Sequence, residues 1–236
     1  MSGNTFINHL SYADDMVLLA PSKRALQTLL NICSSYAALH DLLHNTEKSY
    51  CMIVWPKKFL YKFYPKFYLQ NDLLEYVNIY KYLGVMINEK LSDDDEMNNR
   101  MRGIYATGNM LVRKFSKCEI TCKLLMFKTF FSNIYASALW ANYRVASFCK
   151  VKVSHNDIFR SLLQVPRFES ASTLFVQHNV NNLDSLLRAS YYSLMSRIRA
   201  SENRIIVSLV RGGARLHSRL WQRWGVALGT DLLEGM

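Results

Sequence analysis

Tyr12-Ala13-Asp14-Asp15-Met16-Val17-Leu18-Leu19-Ala20 is the stretch on which the reading of this chain turns. Apolar runs at 6–10 and 16–20 flank Ser11-Tyr12-Ala13-Asp14-Asp15. That pattern predicts a strand, a tight turn and a second strand, with two adjacent carboxylates at the tip. Like charges this close repel, so the pair is most stable when a divalent cation neutralises it. Mg²⁺ takes one or two protein carboxylates and fills its remaining positions with water or phosphate oxygens. An acidic turn without any ligand has the same composition, because Asp is a common turn residue.

Outward from this hairpin, Pro21-Ser22 opens a helix in which Leu26, Leu29, Leu30, Cys33, Tyr36, Ala37 and His40 recur at helical spacing, with Ser22 as N-cap. Residues 50–54 read as a strand ended by Trp55-Pro56, 66–73 as a hairpin turning at Asn71-Asp72, and 80–87 as an apolar strand carrying Gly84. After Ser92 the period becomes helical and stays so. One stripe runs through Met97, Met101, Ile104, Gly108, Leu111 and Phe115, and a second spans 124–140. A short helix around 158–163 ends before Pro166, and 182–210 is helical again. The expected fold class is α+β: a small antiparallel sheet with one helix in residues 1–91, a helical segment over 92–150 and further helices over 151–236.

Half of the 236 residues are hydrophobic, which excludes wholesale disorder, and 9 Gly with 4 Pro exclude fibrous and low-complexity classes. The net charge of +11 is unevenly spread. Residues 1–100 hold 10 Lys/Arg against 11 Asp/Glu, and residues 101–236 hold 19 against 7. A basic second part with 13% aromatic residues overall suits a polyanionic partner. Five cysteines without a tight framework and a start without a basic, apolar leader point to an intracellular protein, nuclear or cytoplasmic. The most apolar window, 124–140, contains Lys128 and Asn133, so a buried helix is expected and no membrane association.

In this context Tyr12-Ala13-Asp14-Asp15 and the apolar strand after it resemble the Tyr-x-Asp-Asp signature of reverse transcriptases, in the form favoured by the non-LTR (LINE-type) retrotransposon branch. Further similarities follow in order. Asn45-Thr46-Glu47-Lys48-Ser49 resembles the Asn-x-x-Lys-Ser/Thr segment after the palm helix. Tyr80-Lys81-Tyr82-Leu83-Gly84 resembles the Phe-Lys-Tyr-Leu-Gly strand. Residues 124–140 look like the thumb helix, and 159–167 resemble the region beyond it. The resemblance implies a partial palm followed by a helical thumb and C-terminal helices. It also implies Mg²⁺-dependent transfer of deoxynucleotides to a primer 3′-hydroxyl on an RNA template. Asp14 and Asp15 would be the catalytic, metal-holding pair. Tyr12 and Ala13 would lie beside the primer terminus, Lys48 near the triphosphate, and Leu83 and Gly84 in the primer grip.

One departure from the family weighs against turnover. The family uses a further aspartate on an earlier palm strand, yet no acidic residue stands among the eleven before Tyr12. Little or no polymerase activity is therefore expected of this chain alone. The alternative is a non-catalytic nucleic-acid-binding remnant. For phosphate contact the candidates are Arg113, Lys114 and Lys117 at one helix end, and Arg211, Arg215, Arg219 and Arg223 at four-residue spacing. Residues 57–68, with alternating lysines and aromatics, suit a half-buried strand with a lysine face, or else base stacking. Ser92-Asp93-Asp94-Asp95-Glu96 reads as an acidic helix start complementing the helix dipole, capped by Ser92 or Asp93.

Overall fold

Ser22 accepts a hydrogen bond from the Ala25 N–H (3.2 Å) and so starts α1 (Lys23–Leu39) as its sequence predicts. The structure, a computed structural model, describes residues 7–55, 63–211 and 219–228. The chain divides into two compact units, one formed by residues 1–80 and 88–91, the other by 81–87 and 92–236. The architecture is α+β.

In the first unit, β1 (His9–Tyr12) and β2 (Asp15–Leu18) form an antiparallel hairpin that precedes α1. A 3₁₀ turn (Thr46–Lys48) leads into β3 (Tyr50–Cys51), which pairs in parallel with β6 (Glu75–Tyr76). Between them β4 (Tyr68–Leu69) and β5 (Asp72–Leu73) make a hairpin through Gln70 and Asn71, both at positive φ. Leu30, Cys51, Phe67, Leu69 and Leu74 form the core, with Leu18, Leu26 and Tyr76 packed on it. Burial of a side chain such as Leu30 stabilises by about 2 kcal/mol. Gln27 of α1 fixes the register: its amide nitrogen donates to the Tyr68 carbonyl (2.9 Å) and its oxygen accepts from the Tyr68 N–H (3.1 Å).

Strands β7 (Ile79–Tyr82) and β8 (Val85–Asn88) cross the division, their tip at 81–87 belonging to the second unit. There α2 (Asp94–Phe115) packs on α4 (Val145–Leu163), with α3 (Ile120–Phe131), α5 (Ala171–Gln177), α6 (Leu183–Arg199), α7 (Arg204–Arg211) and α8 (Arg219–Leu228) completing the bundle. Gly108 lets α2 and α4 approach closely, since a Cβ there would lie 2.4 Å from Ile158 Cδ1. Phe127, Phe159 and Phe175 interlock at the centre, with Phe159 and Phe175 stacked at 4.4 Å. Trp224 of α8 is buried and donates its indole N–H to the Ala138 carbonyl (3.0 Å).

Several expectations are corrected. The single small sheet is instead four two-stranded pairs among the described residues, one of them parallel. Residues 80–87 turn at Leu83-Gly84 rather than running as one strand, because both residues take positive φ. The 124–140 helix stops at Phe131, where Ser132 caps it and Ala136 at φ 59° redirects the chain into a 3₁₀ turn, Ser137–Leu139. The 182–210 helix breaks at Ala200, and the 150/151 division falls inside α4. Among the described residues no helix is long and apolar enough to cross a membrane.

Candidate metal and nucleic-acid site

Tyr12 pairs with Asp15 across the β1–β2 hairpin, so Ala13 and Asp14 are its two turn residues. Ala13 sits at φ 52°, while Asp14 does not share that sign, the φ pattern of a type II′ turn. That turn suits the strand twist but costs an alanine about 1 kcal/mol that a glycine would escape. Leu19 N–H closes the base of the hairpin on the Asn8 carbonyl (2.8 Å), and Val17 and Leu18 are half-buried. Tyr12, Ala13, Asp14, Asp15 and Met16 all remain exposed, Tyr12 to 68%. Both carboxylates thus stand in solvent on a short, fixed tip.

Two adjacent hard oxygen donors fit a largely hydrated or phosphate-bound Mg²⁺ and do not make an all-protein cage. Among the described residues no three His, Cys, Asp or Glu side chains gather into a metal-holding group.

The Asn45–Ser49 segment folds on itself. Asn45 Oδ1 accepts from the Lys48 N–H (3.1 Å) and the Ser49 hydroxyl donates to the Asn45 carbonyl (2.8 Å). Thr46 ties this turn to β5 through the Asp72 carboxylate (2.8 Å). The Asn and Ser of the motif therefore shape the turn, and Lys48 is left exposed.

Leu83 (φ 45°) and Gly84 (φ 82°) form the β7–β8 turn with the φ signs of type I′. Three side chains from the same unit hold it. Arg100 Nη2 donates to the Gly84 carbonyl (2.7 Å), the Tyr135 hydroxyl to the Leu83 carbonyl (2.9 Å), and the Met86 N–H to Glu96 Oε2 (2.8 Å). Arg100 also pairs with Glu96 Oε1 and lies 5.2 Å over the Tyr135 ring. Glu96 is 0% exposed. The Tyr135 ring would touch a Cβ on Gly84 at 3.4 Å.

This use of Glu96 was not read from the acidic run, although the Glu96–Arg100 spacing of four was the available signal. Asp93 and Asp94 depart from the expectation too. Asp93 occupies the N-cap position but makes no side-chain cap bond. Its carboxylate accepts from the Ala141 and Asn142 N–H groups (2.7 Å each). Asp94 accepts from the Arg144 N–H (2.9 Å) and its guanidinium (3.0 Å). Burial opposes its ionised form, but hydrogen bonds from Ser147, Arg144 and Ser92 and the Arg144 charge outweigh that and hold its carboxyl at about 2.

Arg113, Lys114 and Lys117 are exposed at the end of α2, Arg113 donating to its own helix at the Asn109 carbonyl (3.3 Å). The four-residue arginine series is divided between helices. Arg211 ends α7, Arg215 lies outside the described residues, and Arg219 and Arg223 stand on α8. Arg219 donates to the Asn142 side chain and Arg223 sits 4.5 Å over the Tyr143 ring, so both also brace the second unit. The first part of the 57–68 segment, through Lys62, lies outside the described residues as well.

Compared with models of protein families, with curated proteins and with solved structures, the chain finds no match in any of the three.

Proposed function

We propose that this chain is the part of a non-LTR-type reverse transcriptase that carries the Tyr-Ala-Asp-Asp hairpin of the palm, the thumb and the helices beyond it. The observation that carries the reading is the Tyr12–Asp15 turn, which puts the sequence neighbours Asp14 and Asp15 on a solvent-facing tip with Ala13 in the left-handed region. The self-capped Lys48 turn and the Leu83-Gly84 tip follow it in the order the resemblance requires.

On this reading Asp14 and Asp15 hold Mg²⁺, which when bound supplies Lewis-acid activation of a primer hydroxyl and neutralises phosphate charge. Lys48 offers an ammonium to the triphosphate, and the exposed cations of α2 contact duplex phosphates. The family places a further carboxylate on an earlier palm strand, so on this reading turnover requires one supplied by a fingers and first-palm segment. The exposed Arg113, Lys114 and Lys117 suit equally the second reading, a nucleic-acid-binding remnant without turnover.

Primer extension on an RNA template, with and without a fingers and first-palm segment added in trans, tests both. Extension only with the segment, abolished by Asp14→Asn, supports the polymerase. Salt-sensitive duplex binding with no extension in any reconstitution supports the remnant. Absent or salt-insensitive binding overturns both.

A further inference from the structure

The segment from the end of α3 to the Ser137–Leu139 turn packs on α6 and leaves a cleft of about 280 Å³, all within the second unit. That lies just under the ~300–1,000 Å³ usual for small-ligand sites. Ile134 and Leu187 give the cleft an apolar side, and Asn133, Ser137, Ser190, Ser193 and Arg197 give it a polar one. Among the described residues no carboxylate lines it.

Ser137 is the informative member. It is 2% exposed and lines the cleft, yet its hydroxyl meets no partner among the described residues. A buried hydroxyl is ordinarily hydrogen-bonded. Helical hydroxyls commonly turn back onto the carbonyl four residues earlier, as those of Thr28, Ser34 and Thr129 do. Ser190 and Ser193 of α6 make no such bond, which leaves their donors to the cleft. Arg197 uses only its Nε, on the Ser193 carbonyl one turn before it (3.4 Å). Both its Nη groups lack a partner among the described residues. A guanidinium with no acid beside it offers a fork to an external anion. A carboxylate would bring two oxygens to these donors, whereas a phosphate ester brings three, spread tetrahedrally, and so can meet the fork and the hydroxyls on separate sides.

We propose that this cleft binds the phosphate group of a phosphate ester, with Arg197 pairing with its oxygens, Ser137 and Ser190 donating to them, and the carbon body lying along Ile134 and Leu187. None of these residues has a role in the polymerase reading, so the two stand or fall separately. Calorimetric titration of the full chain with ribose 5-phosphate, with ribose, and with a short single-stranded oligodeoxynucleotide tests it and distinguishes a small ester from a nucleic-acid backbone as the phosphate source. Ribose 5-phosphate should bind and ribose should not. Arg197→Ala should weaken binding at least tenfold, as expected for losing a charged hydrogen-bond donor. Arg199→Ala, at an exposed arginine of the same helix outside the cleft, should leave binding unchanged. Ser137→Ala should weaken binding about fivefold without lowering the urea midpoint, because its hydroxyl has no bond within the protein to lose. Ser190→Leu, which fills the cleft, should abolish binding. The same pattern with the oligonucleotide alone keeps the site and assigns its phosphate to nucleic acid. Binding of neither probe, equal loss in Arg197→Ala and Arg199→Ala, or undiminished binding in Arg197→Ala and Ser190→Leu overturns the proposal.

Discussion

Two of the tight hairpins among the described residues, β1–β2 and β7–β8, are built alike and supported differently. Each turns through two residues and each uses the left-handed region, Ala13 in one, Leu83 and Gly84 in the other. The Tyr12–Asp15 tip is bare, with every residue from Tyr12 to Met16 exposed. The Leu83-Gly84 tip is fastened by Glu96, Arg100 and Tyr135. A bare tip keeps carboxylates free for a ligand and contributes little to stability. A fastened tip has its polar groups satisfied and presents a fixed edge. Substitutions at the first should therefore alter chemistry, and at the second the fold.

The largest difference is expected at Asp14. Asp14→Asn should lower primer extension by the reconstituted protein by about 10³-fold, or ~4 kcal/mol of transition-state stabilisation, yet shift the urea midpoint negligibly because the side chain is exposed. A comparable loss of stability would erase the contrast. Glu96→Ala should do the opposite, destabilising the second unit by about 3 kcal/mol, because it leaves Arg100 and the Met86 N–H without their acceptor. Equilibrium urea unfolding reads this directly.

Acid sharpens the contrast from within the second unit. Burial of His155 among Phe127, Phe131 and Phe175 pushes its pKa from 6.5 down to about 4, against smaller upward pulls from the Phe131 backbone and Asp184. Between those values the unfolded chain takes up a proton that the folded chain refuses, so stability should fall as pH drops from 6.5 towards 4, by up to ~3 kcal/mol, and then level off for this group. His155→Leu should flatten that slope in urea midpoints compared at pH 7 and 4.5. Asp94 contributes in the next window, its stabilisation being lost as pH falls from 3.8 through about 2.

The smallest effect should come from Ala13→Gly. Removing the Cβ relieves the left-handed strain, opposed by glycine's greater freedom when unfolded, for a net gain below ~1 kcal/mol. Slower hydrogen exchange at the Leu19 amide, which closes the hairpin on Asn8, would report it.

Much of the local structure was legible because it depends on neighbours in the chain. The 16–20 apolar run, the Ser22 cap and the change to helical period after Ser92 all arise from interactions within a few residues. Strand 80–87 was misread because Leu83 at φ 45° looks like any apolar strand residue; the turn depends on Arg100 and Tyr135 reaching it from later in the chain. The helix expected over 124–140 ends early for a similar reason. Apolar spacing continues past Phe131, but Ala138 and Trp140 reach the same core as Trp224, which donates to the Ala138 carbonyl, without continuing a helix.

What the sequence by itself determined was the pair of adjacent carboxylates in a turn between two strands, the fold class and the basic character of the helical part, since period, turn residues and charge are local properties. Only the tertiary structure decided that Asp93, Asp94 and Glu96 serve as internal acceptors, that Arg219 and Arg223 brace their own unit, and that the Leu83-Gly84 tip is fastened while the Tyr12–Asp15 tip stands free. Those outcomes depend on which distant backbone amides and carbonyls burial brings within hydrogen-bonding reach, and spacing along a chain does not encode that.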